Sequence, residues 1–164
     1  MRIIGLDPGT ATTGYGIIDT ADGELIPVTY GVIRTTPDME MPHRLQKIYQ
    51  ELNALLAEYR PASAGVEELF FGRNVTTAIT VGQARGVMLL ALANAHIPMA
   101  EYSPPKIKDA VTGYGKADKT QVQLMVRNML GLEETPRPDD AADGLAVAIT
   151  HYHYSRFDAL ASGY

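Results

Sequence analysis

Apolar and polar positions change their period several times along the chain, and each change predicts an element. Arg2 to Leu6 is a short apolar run, and Gly14 to Ile18 followed by Glu24 to Thr35 reads as two more strands around the turn Asp22-Gly23. The period then becomes helical. From Met41 to Tyr59, Leu45, Ile48, Leu52, Leu55, Leu56 and Tyr59 recur at helix spacing, with Pro61 beyond them as a stop. Ala62 to Leu69 reads as a fourth strand, the polar Gly72-Arg73-Asn74 as a turn, Thr76 to Ala95 as a long helix and Pro98 to Tyr102 as a brief fifth strand. Pro104-Pro105 opens a helical turn that ends near Gly113. After the Gly113-Tyr114-Gly115-Lys116 loop, Asp118 and Gln121 have N-cap and N3 spacing ahead of Val122, Met125, Val126, Met129 and Leu130, with Gly131 as stop. A last helix starts around Pro138 and runs to about Tyr154. Strands grouped early and helices alternating later predict an α/β fold with a mixed sheet flanked by helices. No repeat or linker interrupts residues 1–164, which are expected to form one domain.

Composition narrows the chemistry. The 164 residues are 46% apolar and contain no cysteine, which excludes disulfides, thiolate metal sites and a cysteine nucleophile and suits a reducing cytoplasm. The longest unbroken apolar run, Val87 to Ala93, is seven residues against the ~20 of a membrane helix, and an acid follows the start too soon for a signal peptide, so no membrane is expected. A net charge of −5 argues at face value against nucleic acid. Its distribution does not. Leu69 to Leu132 holds seven basic and three acidic residues, and the remainder seven basic and sixteen acidic. Four acids holding two divalent cations would bring the loaded protein near neutrality.

Three places supply acids that could converge. Asp7-Pro8-Gly9, with Gly14 and Gly16 after it, puts a carboxylate at a strand's end beside glycines that let a ligand approach the backbone, although such a turn serves a plain chain reversal about as well. Glu67-Glu68 interrupts the apolar fourth strand. Only one of the pair can face a site beside Asp7, and strand parity does not choose, because Val66 and Leu69 flank them on opposite faces. Asp140 and Asp143 lie three apart at a helix start, on one face. Acids there suit the helix dipole anyway, but the small Ala141, Ala142 and Gly144 would let the helix pack close to a sheet and bury them, which needs a counter-ion. Clustered carboxylates are a hard-oxygen site suited to Mg²⁺ or Mn²⁺, and two such ions ~3.5–4 Å apart can clamp the attacking water and leaving oxygen of a phosphodiester.

With those residues in hand, the chain resembles the RuvC family of Holliday junction resolvases, within the ribonuclease H-like superfamily, over nearly its whole length. The resemblance is carried by GLDPGTATTGYG, GVEELFFGRN, VGQARGV, GYGKADKTQVQ and DAADGLAVAITH in that order. It implies a ribonuclease H-like fold of five mixed strands and a metal-dependent endonuclease that nicks two opposed strands of a four-way DNA junction symmetrically, leaving 5′-phosphate and 3′-hydroxyl ends, in recombination and repair. It implies Asp7, Glu67, Asp140 and Asp143 as ligands of two divalent cations, Mg²⁺ or Mn²⁺, with Lys108 and Lys119 near the scissile phosphate. Glu68 and Asp139 are not carried over. Further implications are a cytoplasmic homodimer and the RuvA–RuvB branch-migration complex as a partner. The long helix Thr76 to Ala95, apolar around most of its circumference, is the expected dimer interface, with a buried core helix as the alternative.

Lys106 and Lys116 are expected to contact the DNA backbone only, with a plain solvated loop face as the alternative. Phe70 and Phe71 lead into Arg73 and Asn74, and two adjacent aromatics on a strand both face core only if both sheet faces are covered. By resemblance Phe70 stacks on a base at the crossover, while Arg73 and Asn74 reach phosphate or base edges. His151, eleven residues past Asp140, lies ~16 Å further along the helix axis, too far to join the metal site. His43, His96 and His153 are expected to be structural or exposed. Three rivals stand beside this reading: a ribonuclease H-like nuclease for RNA or another nucleic acid, an actin-like ATPase, which would need two such domains, and a non-catalytic junction-binding module.

Overall fold

In the computed structural model, which describes residues 1–69 and 75–161 and the last six of these as backbone alone, the elements follow in the order strand, strand, strand, helix, strand, helix, strand, helix, helix, helix. Strands β1 (Arg2–Asp7), β2 (Thr12–Ala21) and β3 (Glu24–Arg34) form an antiparallel meander. β2 and β3 are joined by Asp22 and Gly23, both with positive φ, as a two-residue hairpin requires. Helix α1 (Met41–Tyr59) crosses to β4 (Ser63–Glu67), and α2 (Val75–Asn94) to β5 (Met99–Tyr102), both laid parallel to their neighbours. The sheet order is β3-β2-β1-β4-β5, the mixed sheet expected from the chain order. α3 (Pro104–Thr112), α4 (Lys119–Met129) and α5 (Asp139–Ala161) complete the chain.

Both faces of the sheet are covered, so its inner strands read as continuous apolar runs. On one face Ile4, Leu6, Ile17, Ala64 and Val66 pack against Ile48, Leu52 and Leu56 of α1 and Ala84, Met88, Ala91 and Leu92 of α2. On the other, Ile3 and Ile18 meet Leu145 and Ile149 of α5, backed by Ile107, Val111, Val122 and Val126. Each such side chain contributes about 1.5–3 kcal/mol on burial. The α4 start has the reciprocal cap that its spacing predicts. Asp118 accepts from the Gln121 backbone N–H, and the Gln121 side chain accepts from the Asp118 N–H, both at 2.9 Å.

Several element ends differ from the sequence reading, and two of them have a plain local reason. β4 stops at Glu67 rather than Leu69, because its neighbours stop there: Leu6 is the last β1 residue opposite it and Tyr102 the last of β5. α5 begins at Asp139 and continues past Tyr154 to Ala161, since no glycine or proline intervenes before Gly163. As a whole 20-residue helix, α2 matches a membrane span by length and composition, with mean hydropathy 1.4, although no unbroken run does. Its face bearing Ala84, Met88, Ala91 and Leu92 is packed into the core, while Val75, Ile79 and Leu90 are exposed, so it is a half-covered helix rather than the fully buried alternative.

Candidate active site

Parity and close packing bring the acids together. On β1, Ile3 faces α5 and Ile4 and Leu6 face α1 and α2, so Gly5 and Asp7 share the α5 face. On β4, Ala64 and Val66 face α1 and α2, so Gly65 and Glu67 point to α5 as well. Glu67 is half-buried there, and Glu68 is exposed. The helix lies directly on the strands because backbone, not side chain, faces it. A Cβ on Gly14 would strike the Asp140 carbonyl oxygen, one on Gly16 would sit 2.5 Å from the Leu145 nitrogen, and one on Gly144 would sit 2.5 Å from the Tyr15 carbonyl carbon. The small residues expected to allow this approach do so, Ala141 and Ala142 being fully buried. Asp140 and Asp143, one turn apart, are thereby set over the end of β1.

One carboxylate oxygen from each of Asp7, Asp140 and Asp143 lies within 4.8 Å of the others, a spacing that can hold a metal ion. Glu67 closes the group through a hydrogen bond with Asp7. The electrostatics show how crowded this is. Burial, the Glu67 charge, the hydrogen bond to Glu67 and the charges of Asp143 and Asp140 push the Asp7 carboxyl well above the usual carboxylate range. Glu67 is raised chiefly by burial, against the hydrogen bond from Asp7 and the charges of Lys108 and Lys119, which lower it. Asp143 is likewise raised by burial, which outweighs the lowering by Lys119. Four carboxylates held like this call for cations. Oxygen-only donors select a hard divalent ion.

Among the described residues, Lys119 is the cation bonded to these acids. Its Nζ donates to Asp143 Oδ2 at 3.2 Å and lies 3.7 Å from Asp139 Oδ2. Burial acts to lower the Lys119 pKa, but the charges of Asp143, Asp139 and Asp140 and the hydrogen bond to Asp143 outweigh it and hold the amine protonated. Asp139, left without a role by sequence, also accepts from Arg137 Nη1 at 2.9 Å. Lys108 and Lys119 line a pocket of about 230 Å³ with Glu67, Asp143, Pro104, Ile107, Val122 and Ala146. Two lysines and two of the acids thus share one cleft.

Of the other expected DNA contacts, the structure describes Lys106 and Lys116. Lys106 is not part of that cleft; its Nζ sits 4.1 Å from the Tyr154 ring centroid and 5.5 Å from that of Tyr102. Lys116 is exposed on the α3–α4 loop. Phe70, Phe71, Arg73 and Asn74 lie outside the described residues. His151 is buried far along α5 from the acids, its Nδ1 2.9 Å from the Tyr102 hydroxyl, and burial pulls its pKa down. Sequence gave no hint of this pair. A signal for the acid parity was present: Gly5 and Gly65 each stand two residues before an acid.

Residues 3–151 match the family described as Crossover junction endodeoxyribonuclease RuvC. The chain belongs to the RuvC family. A curated relative of that description from Syntrophomonas wolfei is 57% identical over 97% of this chain and 92% of its own. The RuvC structure from Thermus thermophilus is 37% identical, with a TM-score of 0.88 over 96% of this chain and 97% of that one. A second Thermus thermophilus RuvC structure, described as in complex with Holliday junction substrate, aligns with a TM-score of 0.91 over 96% of both chains at 37% identity. These matches span the β1, β4 and α5 acids, and with them the fold expected from the five motifs is the fold observed.

Proposed function

We propose that this chain, as one ribonuclease H-like domain over residues 1–164, resolves four-way DNA junctions by paired, symmetric hydrolysis of two opposed strands in the cytoplasm. The observation that carries the reading is the meeting of Asp7, Glu67, Asp140 and Asp143 from two parallel strands and a helix start, beside Lys108 and Lys119. Bound among these acids, two divalent cations, Mg²⁺ or Mn²⁺, would supply an activated water and charge neutralisation at the leaving oxygen.

The protein's own groups do the rest. The four carboxylates hold the site rigidly, because each is carried by β1, β4 or the first turns of α5 and none by a loop. Lys119, tied to Asp143, and Lys108, across the same cleft, face the phosphoryl group and stabilise negative charge that builds on its oxygens. The water oxygen bonds to phosphorus and the bond to the 3′-oxygen breaks. That oxygen takes up a proton, leaving a 5′-phosphate and a 3′-hydroxyl that can be sealed. Phe70 stacks on a base at the crossover, and Phe71, Arg73, Asn74, Lys106 and Lys116 contact the surrounding DNA.

A junction with two equivalent strands is matched by two equivalent sites, so a homodimer is the working unit. Val75, Ile79 and Leu90, exposed on α2, support that helix as the interface. The RuvA–RuvB branch-migration complex is the expected partner. The test offers a four-way junction, a matched linear duplex and an RNA–DNA hybrid, each with and without Mg²⁺ or Mn²⁺. Paired, ligatable nicks confined to the junction are expected. Cutting of the hybrid alone, or binding without metal-dependent nicks, would overturn the reading.

A further inference from the structure

The acids border two clefts, and the proposed hydrolysis uses only the one with Lys108 and Lys119. On the side away from Lys108 and Lys119, a cleft of about 430 Å³ is lined by the Gly9–Thr12 turn, Thr77 and Thr80 of α2, Arg44 of α1, and Asp140 itself. Arg44 is the one cation lining it among the described residues. Its guanidinium is fixed by a relay back to the turn after Asp7: Nε donates to Thr35 Oγ1 at 2.7 Å, and the buried Thr35 hydroxyl donates to the Thr10 carbonyl at 2.6 Å. That holds the side chain through Nε alone. Nη1 and Nη2 meet no partner among the described residues, and Arg44 forms no ion pair with Asp140. Thr10, 6% exposed, also lines the cleft, and its hydroxyl has no hydrogen-bond partner among the described residues.

A planar cation, oriented through one nitrogen with its forked end open, beside a turn with an unused hydroxyl, is arranged for a tetrahedral oxyanion. We propose that Arg44 is a positioning residue that holds a backbone phosphate flanking the scissile one, on the Asp140 side of the acids, so that the DNA strand is gripped on both sides of the cut. The inference rests on the reading of the chain as a DNA nuclease and adds a subsite to it. Thr35 sets the direction of the guanidinium, and the Thr10 hydroxyl is a second donor beside it. With Lys108 and Lys119 on one side and Arg44 on the other, the acids fall under a fixed phosphodiester rather than a sliding one.

The test uses four-way junctions carrying one neutral methylphosphonate at successive positions around the nick, with wild-type protein, Arg44→Ala, Arg44→Gln and Thr35→Val. Binding is measured without metal over a range of salt, and cleavage in single turnover with Mg²⁺. Arg44→Ala is expected to weaken binding of the natural junction about 10-fold and to lower the salt slope by about one ion, as loss of one phosphate contact does. One methylphosphonate flanking the nick should weaken wild type equally and leave Arg44→Ala unaffected. Arg44→Gln, which keeps a donor for Thr35, replaces the alanine variant if that fails to fold. Thr35→Val should keep the salt slope while slowing cleavage, since the charge stays but its direction is lost. Effects of Arg44→Ala additive with every methylphosphonate, or an unchanged salt slope, overturn the proposal. A wild-type protein that neither binds nor nicks the junction overturns the nuclease reading as well, and is distinguished by that control.

Discussion

The start and the middle of α5 rest on the same sheet face and are packed by the same means, yet they hold their polar groups in opposite ways. At the start, Asp140 and Asp143 lie against Asp7 and Glu67, and burial together with the neighbouring acids holds the Asp7 carboxyl well above the usual carboxylate range. Two to three turns later, the Thr150 hydroxyl donates to the Ala146 carbonyl at 2.8 Å, and His151, neutral through burial, faces the Tyr102 hydroxyl. The second region buries no charge, although His151 Nε2 meets no partner among the described residues. The first does, and like charges this close are costly unless something from outside joins them. Close packing by itself therefore does not mark a site. An unrelieved charge in a closely packed place does.

The largest expected effect comes from removing one of those charges. Asp7→Asn should lower junction cleavage on the order of 10³-fold or more, about 4 kcal/mol of barrier, while leaving junction binding in place. The same change should raise the melting temperature of the metal-free protein at pH values where Asp7 would ionise, since an amide adds no charge beside Asp140 and Asp143 there; about 1 kcal/mol corresponds to roughly 2–4 °C in a chain of this size. Calorimetry and a cleavage assay on one preparation check both. A variant that is inactive but less stable would break the contrast between the two regions.

Next is the packing that the two regions share. Gly144→Ala puts a Cβ against the Tyr15 backbone and should cost about 1–3 kcal/mol, as overpacking does, with cleavage falling in parallel because the acids move with the helix. Chemical denaturation reads the first and single-turnover cleavage the second. Tyr102→Phe should cost about 1–2 kcal/mol by leaving His151 Nδ1 buried without its partner, and should leave cleavage within about two-fold. The two substitutions together separate scaffold from chemistry along one helix.

Proton linkage sharpens the contrast further. Asp7, Glu67 and Asp143 are all raised in the folded state, so the folded protein binds protons more tightly than the unfolded chain. The stability they contribute is fully present below the unfolded carboxylate pKa, near 4, and is lost as pH rises through the raised values. Metal-free melting temperature should therefore fall as pH climbs out of the carboxylate range, by less in Asp7→Asn, and Mg²⁺ should abolish most of that fall. His151 has the opposite sign: its lowered pKa adds stability above the ordinary histidine range, lost as pH falls through the lowered value. The smallest effect is expected of Lys106→Met, a loss of cation–π contact of about 0.5–1 kcal/mol with little change in cleavage.

Much of this was legible in the chain because its signals are local. Helix periods, the Asp118/Gln121 cap and the Asp140/Asp143 spacing each need only neighbouring residues, and each is found where expected. The choice between Glu67 and Glu68 needed more. With both sheet faces covered, Val66 and Leu69 carry no facing information, and only the glycines beneath α5 show which side is which. The even hydrophobicity of α2 conceals which side meets α1, since Ala84 and Met88 look no more apolar than the exposed Ile79. Arg44 was invisible for a different reason. On an amphipathic helix it reads as one more polar residue, and its meaning comes from Thr35, which reaches it only through the fold.

The central claim is that the crowded acids are a divalent-cation site that drives the cutting of DNA. Calorimetric titration of Mn²⁺ into wild-type protein and into Asp7→Asn and Asp140→Asn, with a non-cleavable junction bound, tests it most directly. The account predicts saturable binding in wild type, with protons released as raised carboxyls ionise, and a loss of that binding in both variants. Equal Mn²⁺ uptake by all three proteins would contradict it.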